Sequence, residues 1–194
     1  MRSSLPSRIR VCTSTVSPIA NLIPERTYLA VGLSKSIAPA LRVSYLLVPD
    51  AAAEQAMRSN LQATTQMPPP LMVALVTHWL RSGIADKIIA AIRHEAAGRQ
   101  QLARRLLSGV PYAAKPNAHH LWLSLPRHWS RDDFRSHVLR QGLAVVADDA
   151  FAVGTSSPAV RVSLGAARNR AELAQALQFL AAALKSSVQT VQIV

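Results

Sequence analysis

The feature that most constrains this chain is a change of hydrophobic period at Gly109-Val110-Pro111. From Ile84 to Leu107 apolar residues recur at helical spacing. Ile84, Ile88, Ile92, Ala96, Ala103 and Leu106 make one stripe, with Lys87, Arg93, Glu95 and Arg105 largely off it. Gly109 and Pro111 stop that helix. Beyond them the pattern becomes short alternating runs. In His119 to Leu125, Leu121, Leu123 and Leu125 share one face of a strand. Ser130 and Asp133, then Asn169 and Glu172, stand at the spacing of helix-capping pairs. They predict one helix running to Gln141, closed by Gly142, and another with Leu173, Leu177, Leu180 and Leu184 in register. Strands are expected at Leu143–Ala147 and Val160–Leu164. The resulting order from residue 110, strand, strand, helix, strand, strand, helix, is that of a small α+β domain.

Upstream of the long helix, residues 27–34 and 43–48 are nearly continuous apolar runs. Such runs suit strands covered on both faces, as in α/β proteins. Residues 51–66 predict a helix that Met67-Pro68-Pro69-Pro70 must break, with Pro70 placed in the first turn of the next helix. That next helix is expected to reach Arg81 and stop at Ser82-Gly83.

Apolar residues make up 49% of the 194, enough for a real core, but only 5% are aromatic, so aliphatic packing must dominate. One cysteine, Cys12, excludes an internal disulfide framework or a cysteine-rich zinc site and suits a reducing, cytoplasmic setting. No apolar run is long enough for a membrane span. The balance of 22 basic to 10 acidic residues gives a formal charge of +12. A basic nucleic-acid-binding module without cofactor is therefore an alternative class, with steep salt dependence as its signature. The basic residues are scattered, however, without a compact run interleaved with aromatics, as expected of solvated helix faces. Residues 1–17 are Ser- and Arg-rich without an acid, superficially like a transit peptide, but lack an amphipathic face or a secretory apolar core. They read as an unplaced, unstructured tail. Residues 187–194 are set aside as a second tail.

The stretch Gly32-Leu33-Ser34-Lys35-Ser36-Ile37-Ala38-Pro39-Ala40-Leu41-Arg42 is the most informative for chemistry. A lysine at the end of a buried strand is costly when charged, unless it is paired or its pKa is depressed. A depressed pKa is what an amine needs to attack an aldehyde. Ser34 offers a hydroxyl and Arg42 a planar fork of N–H groups, which together suit a phosphate dianion. On spacing alone, a lysine snorkelling to solvent is the usual case.

This segment resembles the lysine signature of the class I aminotransferases of fold type I, in which serine and lysine are followed by alanine-proline-glycine-leucine-arginine. The resemblance implies that Lys35 forms the Schiff base with pyridoxal 5'-phosphate and acts as base at the substrate Cα. It further implies that Ser34 and Arg42 bind the cofactor phosphate. Two positions depart from the pattern. Gly32 stands where the family often has another phosphate-binding serine, and Ala40 replaces the glycine, which would strain the turn if φ were positive there. Val160-Arg161-Val162-Ser163-Leu164-Gly165 is similar to the family's C-terminal arginine strand. That likeness implies that Arg161 clamps the substrate α-carboxylate.

The likeness spans roughly residues 20–186. It is strongest to the aminotransferase-like domain of MocR-kind GntR transcriptional regulators, on PERTYLAVGLSKSIAPALRVSYLLVP, LMVALVTHWL and RVSLGAARNRAELAQAL. The fold it implies is the C-terminal part of the PLP-dependent transferase fold. Residues 18–83 would be the remnant of the PLP-binding large domain, 84–109 an interdomain helix and 110–186 the small α+β domain. The ligand would be an amino acid or 2-oxo acid. DNA would be contacted only through a winged-helix domain absent from this chain, and the intact protein would be a homodimer. In the family, the groups that hold the cofactor ring precede the lysine by a long stretch, and only 34 residues do so here. The expectation is a truncated reading frame with a foreign or frame-shifted opening, a transaminase type inactive as it stands. A ligand sensor without turnover is the rival.

Three lesser motifs carry no expected chemistry. His119-His120 on a strand would point to opposite faces and not chelate one metal. Asp148-Asp149 reads as a turn. Trp79, Trp122 and Trp129 read as core or interface residues.

Overall fold

The computed structural model describes residues 17–186, so apart from Ser17 the expected tails at 1–17 and 187–194 lie outside the described residues. The chain forms two compact units, one ending at Ile89 and the other beginning at Ala90, with the division falling inside a helix.

The first unit opens with a short helix, α1 (Ile19–Leu22), and a single 3-10 turn at Pro24–Arg26. Strands β1 (Leu29–Gly32) and β2 (Ser44–Leu47) pair antiparallel, with Leu29 opposite Leu47 and Gly32 opposite Ser44. Helices α2 (Ala51–Thr65) and α3 (Pro70–Arg81) follow. Asp50 caps α2 by accepting from Ala53 N–H at 2.7 Å, which satisfies one of the free amides of the first turn. Pro70 sits in the first turn of α3, as expected. A small core gathers Leu33, Leu41, Val43 and Val76, with Ile37, Met72, Val73, Leu75 and Trp79 packed on it.

The reading of 27–34 and 43–48 as strands covered on both faces is corrected. Only four residues of each run pair, and Ala30, Gly32, Ser44, Tyr45 and Leu46 are exposed. Near-continuous apolarity reports what a segment can bury, whereas burial itself needs a neighbouring layer, and within this unit a two-stranded ribbon has none on one side.

Helix α4 (Ile84–Leu106) runs from the first unit into the second. In the second unit β3 (Tyr112–Ala113), β4 (His120–Ser124), β5 (Val146–Ala147) and β6 (Ala159–Ser163) form one antiparallel sheet in the order β3-β4-β6-β5. Helices α5 (Arg131–Arg140) and α6 (Arg170–Lys185) complete it. Both predicted caps form. Ser130 Oγ accepts from Asp133 N–H at 3.1 Å, and Asn169 Oδ1 accepts from Glu172 N–H at 2.9 Å. Gly142 closes the α5 turn with φ of +76°, a conformation that costs a side-chain-bearing residue dearly.

One face of this sheet, carrying Leu121, Leu123, Val160 and Val162, packs against Ala103 of α4 and Leu107 just after it, Phe134 and Val138 of α5, and Leu173, Leu177, Leu180 and Leu184 of α6. The α4 stripe ends as expected with Leu106 packed half-buried on this core, and Leu107, just past the helix, is fully buried beside it. Gln100 also lies within the stripe, 4% exposed. Gln100 is tolerated there because its Nε2 donates to the carbonyls of Ala118 (2.8 Å) and His120 (3.3 Å), so the burial of its amide is compensated. The strand expected at Leu143–Ala147 pairs only over its last two residues.

Candidate functional site

The residues singled out for chemistry fall in two places, one in each unit. In the first unit, β1 stops at Gly32 and the chain turns at once. The carbonyl of Leu33 accepts from both Ser36 N–H (3.3 Å) and Ile37 N–H (2.9 Å), while Leu33 N–H donates to the Val43 carbonyl at 3.1 Å. Leu33, Leu41 and Val43 are buried, so both ends of the segment are pinned to the small core while its tip, with Ser34, Lys35 and Ser36, faces outward. Lys35 is therefore not a strand-end residue in a buried setting. It sits on an exposed turn, and Ser34 beside it is half-buried. Ser36 Oγ is within 3.5 Å of the Leu33 carbonyl.

A single 3-10 turn, Pro39–Leu41, leads to Arg42. The strain expected at Ala40 falls on Arg42 instead, which adopts left-handed backbone angles, φ 50° and ψ 31°. For a residue with a Cβ that conformation costs about 1–2 kcal/mol. Strained backbone of this sort is common where function fixes a side chain. Arg42 is exposed, and among the described residues neither it nor Lys35 belongs to an ion pair. An amine, a hydroxyl and a guanidinium are thus all available on one short, anchored segment. Their donor chemistry fits a phosphorylated aldehyde.

In the second unit Arg161 occupies the middle of β6, opposite Trp122 of β4 on one side and Val146 of β5 on the other. Strand alternation turns Val160 and Val162 into the core and Arg161 to the other face. Its guanidinium carbon lies 4.7 Å from the centre of the Phe151 ring, and that ring meets Trp122 edge-on at 5.7 Å. Arg161 Nε is buried without a hydrogen-bond partner. Buried donors are nearly always satisfied, so this one stands out among the described residues. A carboxylate is the acceptor whose geometry matches a guanidinium.

Asp148 is the residue that sequence reasoning missed. The pair Asp148-Asp149 does form a turn, at the 3-10 segment Asp148–Ala150, but Asp148 is also 1% exposed. Its carboxylate accepts from Ser156 Oγ, lies 3.5 Å from Ala159 N–H, and stands 3.4 Å from the Arg131 guanidinium. The Ser156 hydroxyl, helped by the Ala159 amide and Arg131 against the cost of burial, holds this carboxyl below its ordinary range. Nothing in the sequence distinguishes it from the exposed Asp149 next to it.

A second polar group ties α4 to the segment after β6. Arg99 donates to the carbonyls of Leu164 (2.7 Å) and Ala167 (2.9 Å) and to Glu95 (2.8 Å), which also pairs with Arg170 at 2.8 Å. Gly98 makes room for this, since a Cβ there would run into the Arg170 guanidinium. Trp129 is core, its Nε1 donating to the Ala183 carbonyl at 3.0 Å, and Trp79 packs on the small core of the first unit. Trp122 lies half-buried on the Arg161 face. Among the described residues no group of His, Cys, Asp and Glu could hold a metal ion, and no helix is long and apolar enough to cross a membrane.

The order of these helices and strands is that of the pyridoxal-phosphate-dependent aminotransferase fold. Solved structures agree in fold. The kynurenine aminotransferase of Pyrococcus horikoshii matches 83% of this chain and 41% of its own at a TM-score of 0.71 and 18% identity. The α-aminoadipate aminotransferase of Thermus thermophilus matches 88% and 46% at 0.71 and 23%. The chain belongs to the class I and II aminotransferase family, whose model matches residues 6–180. That match begins well before residue 20, so the likeness reaches back into the segment expected to lie outside it. Pyridoxal phosphate is the cofactor of this family. Among curated proteins, an uncharacterised HTH-type transcriptional regulator of Bacillus subtilis, YdeF, is 32% identical over 166 residues, 84% of this chain. The chain spans 35% of that protein's length.

Proposed function

We propose that this chain is the C-terminal part of a pyridoxal-phosphate-binding domain of the MocR-regulator kind, in which residues 84–109 link the cofactor-bearing part (18–83) to the ligand-closing part (110–186). The observation that carries the reading is the anchored turn at 33–42, which holds Lys35, Ser34 and Arg42 out of every ion pair in the described chain. When bound, the cofactor supplies an aldehyde and an electron-withdrawing ring. The chain's own groups then divide the work. Lys35 Nζ is the attachment point and later the base at the ligand Cα. Ser34 and Arg42 hold the phosphate, Arg42 by its planar fork. Arg161 takes the α-carboxylate of an amino acid or 2-oxo acid on the orphaned Nε, backed by Phe151 and Trp122.

The resemblance to an HTH-type regulator supports a sensing role. On this reading DNA is contacted by a winged helix that is not among these residues, and the working form is a homodimer in the cytoplasm. An aminotransferase proper is the second reading, supported by the solved structures that share the fold.

The experiment is borohydride reduction of the chain with pyridoxal phosphate, followed by mass-spectrometric mapping. Lys35 should carry the label above Lys87, Lys115 and Lys185, and Arg42→Ala should reduce it. Even labelling over the four lysines would refute a specific site. Gly32→Ser should raise the labelling by returning a phosphate donor. The position has room, since a Cβ there would meet Ser44 Oγ at 3.4 Å, an ordinary contact.

A further inference from the structure

We propose that Asp148 is the positioning residue of the Arg161 site: it clamps both ends of the 148–158 loop so that Phe151 is held over the Arg161 guanidinium. The proposal rests on the reading of Arg161 as a carboxylate-binding group, and it adds what sets that group's geometry.

The loop leaves the sheet after β5 and returns at β6. On the way out, the backbone carbonyl of Asp148 accepts from Phe151 N–H (2.9 Å) and Ala152 N–H (3.0 Å), which fixes the residue that carries the ring. On the way back, the Asp148 carboxylate accepts from Ser156 Oγ and reaches the Ala159 amide at the first residue of β6. Arg161 stands two residues further along the same strand. One buried residue thereby connects the ring and the guanidinium it covers. Between the two clamped ends the loop has little else to hold it. Val153 is fully exposed and Gly154 takes φ of +89°. Phe151 itself is 46% exposed, so packing alone is a weak restraint on its ring.

The clamp is built to stay ionised. A carboxylate that accepts from a hydroxyl and an amide and lies near a guanidinium keeps its charge despite burial. Its charged acceptors bind the loop more firmly than a neutral turn would. Holding Phe151 in place does two things for Arg161. It covers the guanidinium on one side, and it keeps Nε buried without a hydrogen-bond partner.

The test reads Arg161 directly and needs no ligand. In the chain labelled with 15N-arginine, the Arg161 Nε–H resonance, identified by its loss in Arg161→Lys, should carry a ring-current shift that disappears in Phe151→Leu. Asp148→Ala keeps the main-chain bonds to Phe151 and Ala152 but loses the carboxylate end, so it should move the resonance toward the Phe151→Leu position, and Asp148→Asn and Ser156→Ala should move it less in the same direction. Val138→Ala, a large-to-small change in the same core, should lower the melting temperature and leave the resonance in place. A resonance unmoved by Asp148→Asn and Ser156→Ala overturns the proposal, as does an equal displacement in Val138→Ala. Where Asp148→Ala does not fold, the two milder variants decide. Titration with acetate is a separate arm. An Arg161 resonance indifferent to acetate in the wild type sinks the carboxylate reading and leaves the clamp standing.

Discussion

Replacing Arg99 by leucine isolates what holds the segment after β6 in place. Arg99 is largely buried, its side chain 13% exposed, and its Nη1 donates to two main-chain carbonyls, Leu164 at 2.7 Å and Ala167 at 2.9 Å. A hydrogen bond from a charged donor contributes about 1.5–3 kcal/mol net. Two sharing one nitrogen, with carbonyls on a segment that water reaches once the arginine is gone, should give the lower end of that range each, about 3 kcal/mol together. The contact with Glu95 is at the wetter end and is left out of the sum. Leucine recovers part of the apolar packing of the arginine stem, so the measured loss should be about 2–3 kcal/mol. For a chain of this size that is about 4–12 °C in melting temperature. Thermal unfolding followed by far-UV circular dichroism measures it, with Arg99→Lys as the intermediate case, since one ammonium can reach one carbonyl but not reproduce the fork. A loss below about 1 kcal/mol for Arg99→Leu would show that the two carbonyls are as well served by water, and that the contact merely accompanies the fold.

Other outcomes follow from the same contacts. Glu95 has its carboxyl lowered from 4.5 to about 2, first by its hydrogen bonds from Arg170 and Arg99. A group whose folded pKa is depressed gives stability that is complete above the unfolded value and is lost as pH falls through the folded one. Melting temperature should therefore decline between pH 4.5 and 2, and Glu95→Gln should flatten that decline without abolishing it, because Asp148 and Glu172 are depressed in the same direction. Arg42→Gly removes a left-handed backbone cost of about 1–2 kcal/mol but adds unfolded-state freedom worth about 0.4–1 kcal/mol. The net gain, about 0–1.6 kcal/mol, should appear in denaturant unfolding together with a loss of Lys35 labelling; a variant that is less stable would refute the strain. Trp129→Phe keeps the aromatic contact with Phe134 but loses the indole hydrogen bond to the Ala183 carbonyl, which still accepts from Ser186 Oγ at 2.9 Å, and should cost about 0.5–1.5 kcal/mol in urea unfolding.

Local order was legible in the amino-acid sequence wherever the determining contacts are themselves local. The caps at Ser130 and Asn169, the glycine stop at Gly142, Pro70 at the start of α3 and the register of Leu173, Leu177, Leu180 and Leu184 all depend on residues a turn or two apart. So does the presence of a lysine, a serine and an arginine on one short segment between two apolar runs. What tertiary structure alone decided is where those elements find neighbours. Whether 27–34 and 43–48 are covered depends on a layer that no period in them specifies, and in this chain they form an exposed two-stranded ribbon. Lys35 left the strand because the Leu33 carbonyl captured two later amides, and the left-handed residue became Arg42 rather than Ala40 because the chain closes a 3-10 turn first. Asp148 and Asp149 are alike to any local rule. The first is buried because Ser156, Ala159 and Arg131 converge on it from other parts of the chain, and burial of a charge is affordable only where such partners arrive together. Helical and strand periods encode which face a residue takes; the partners on that face come from distant sequence, and no local pattern carries them.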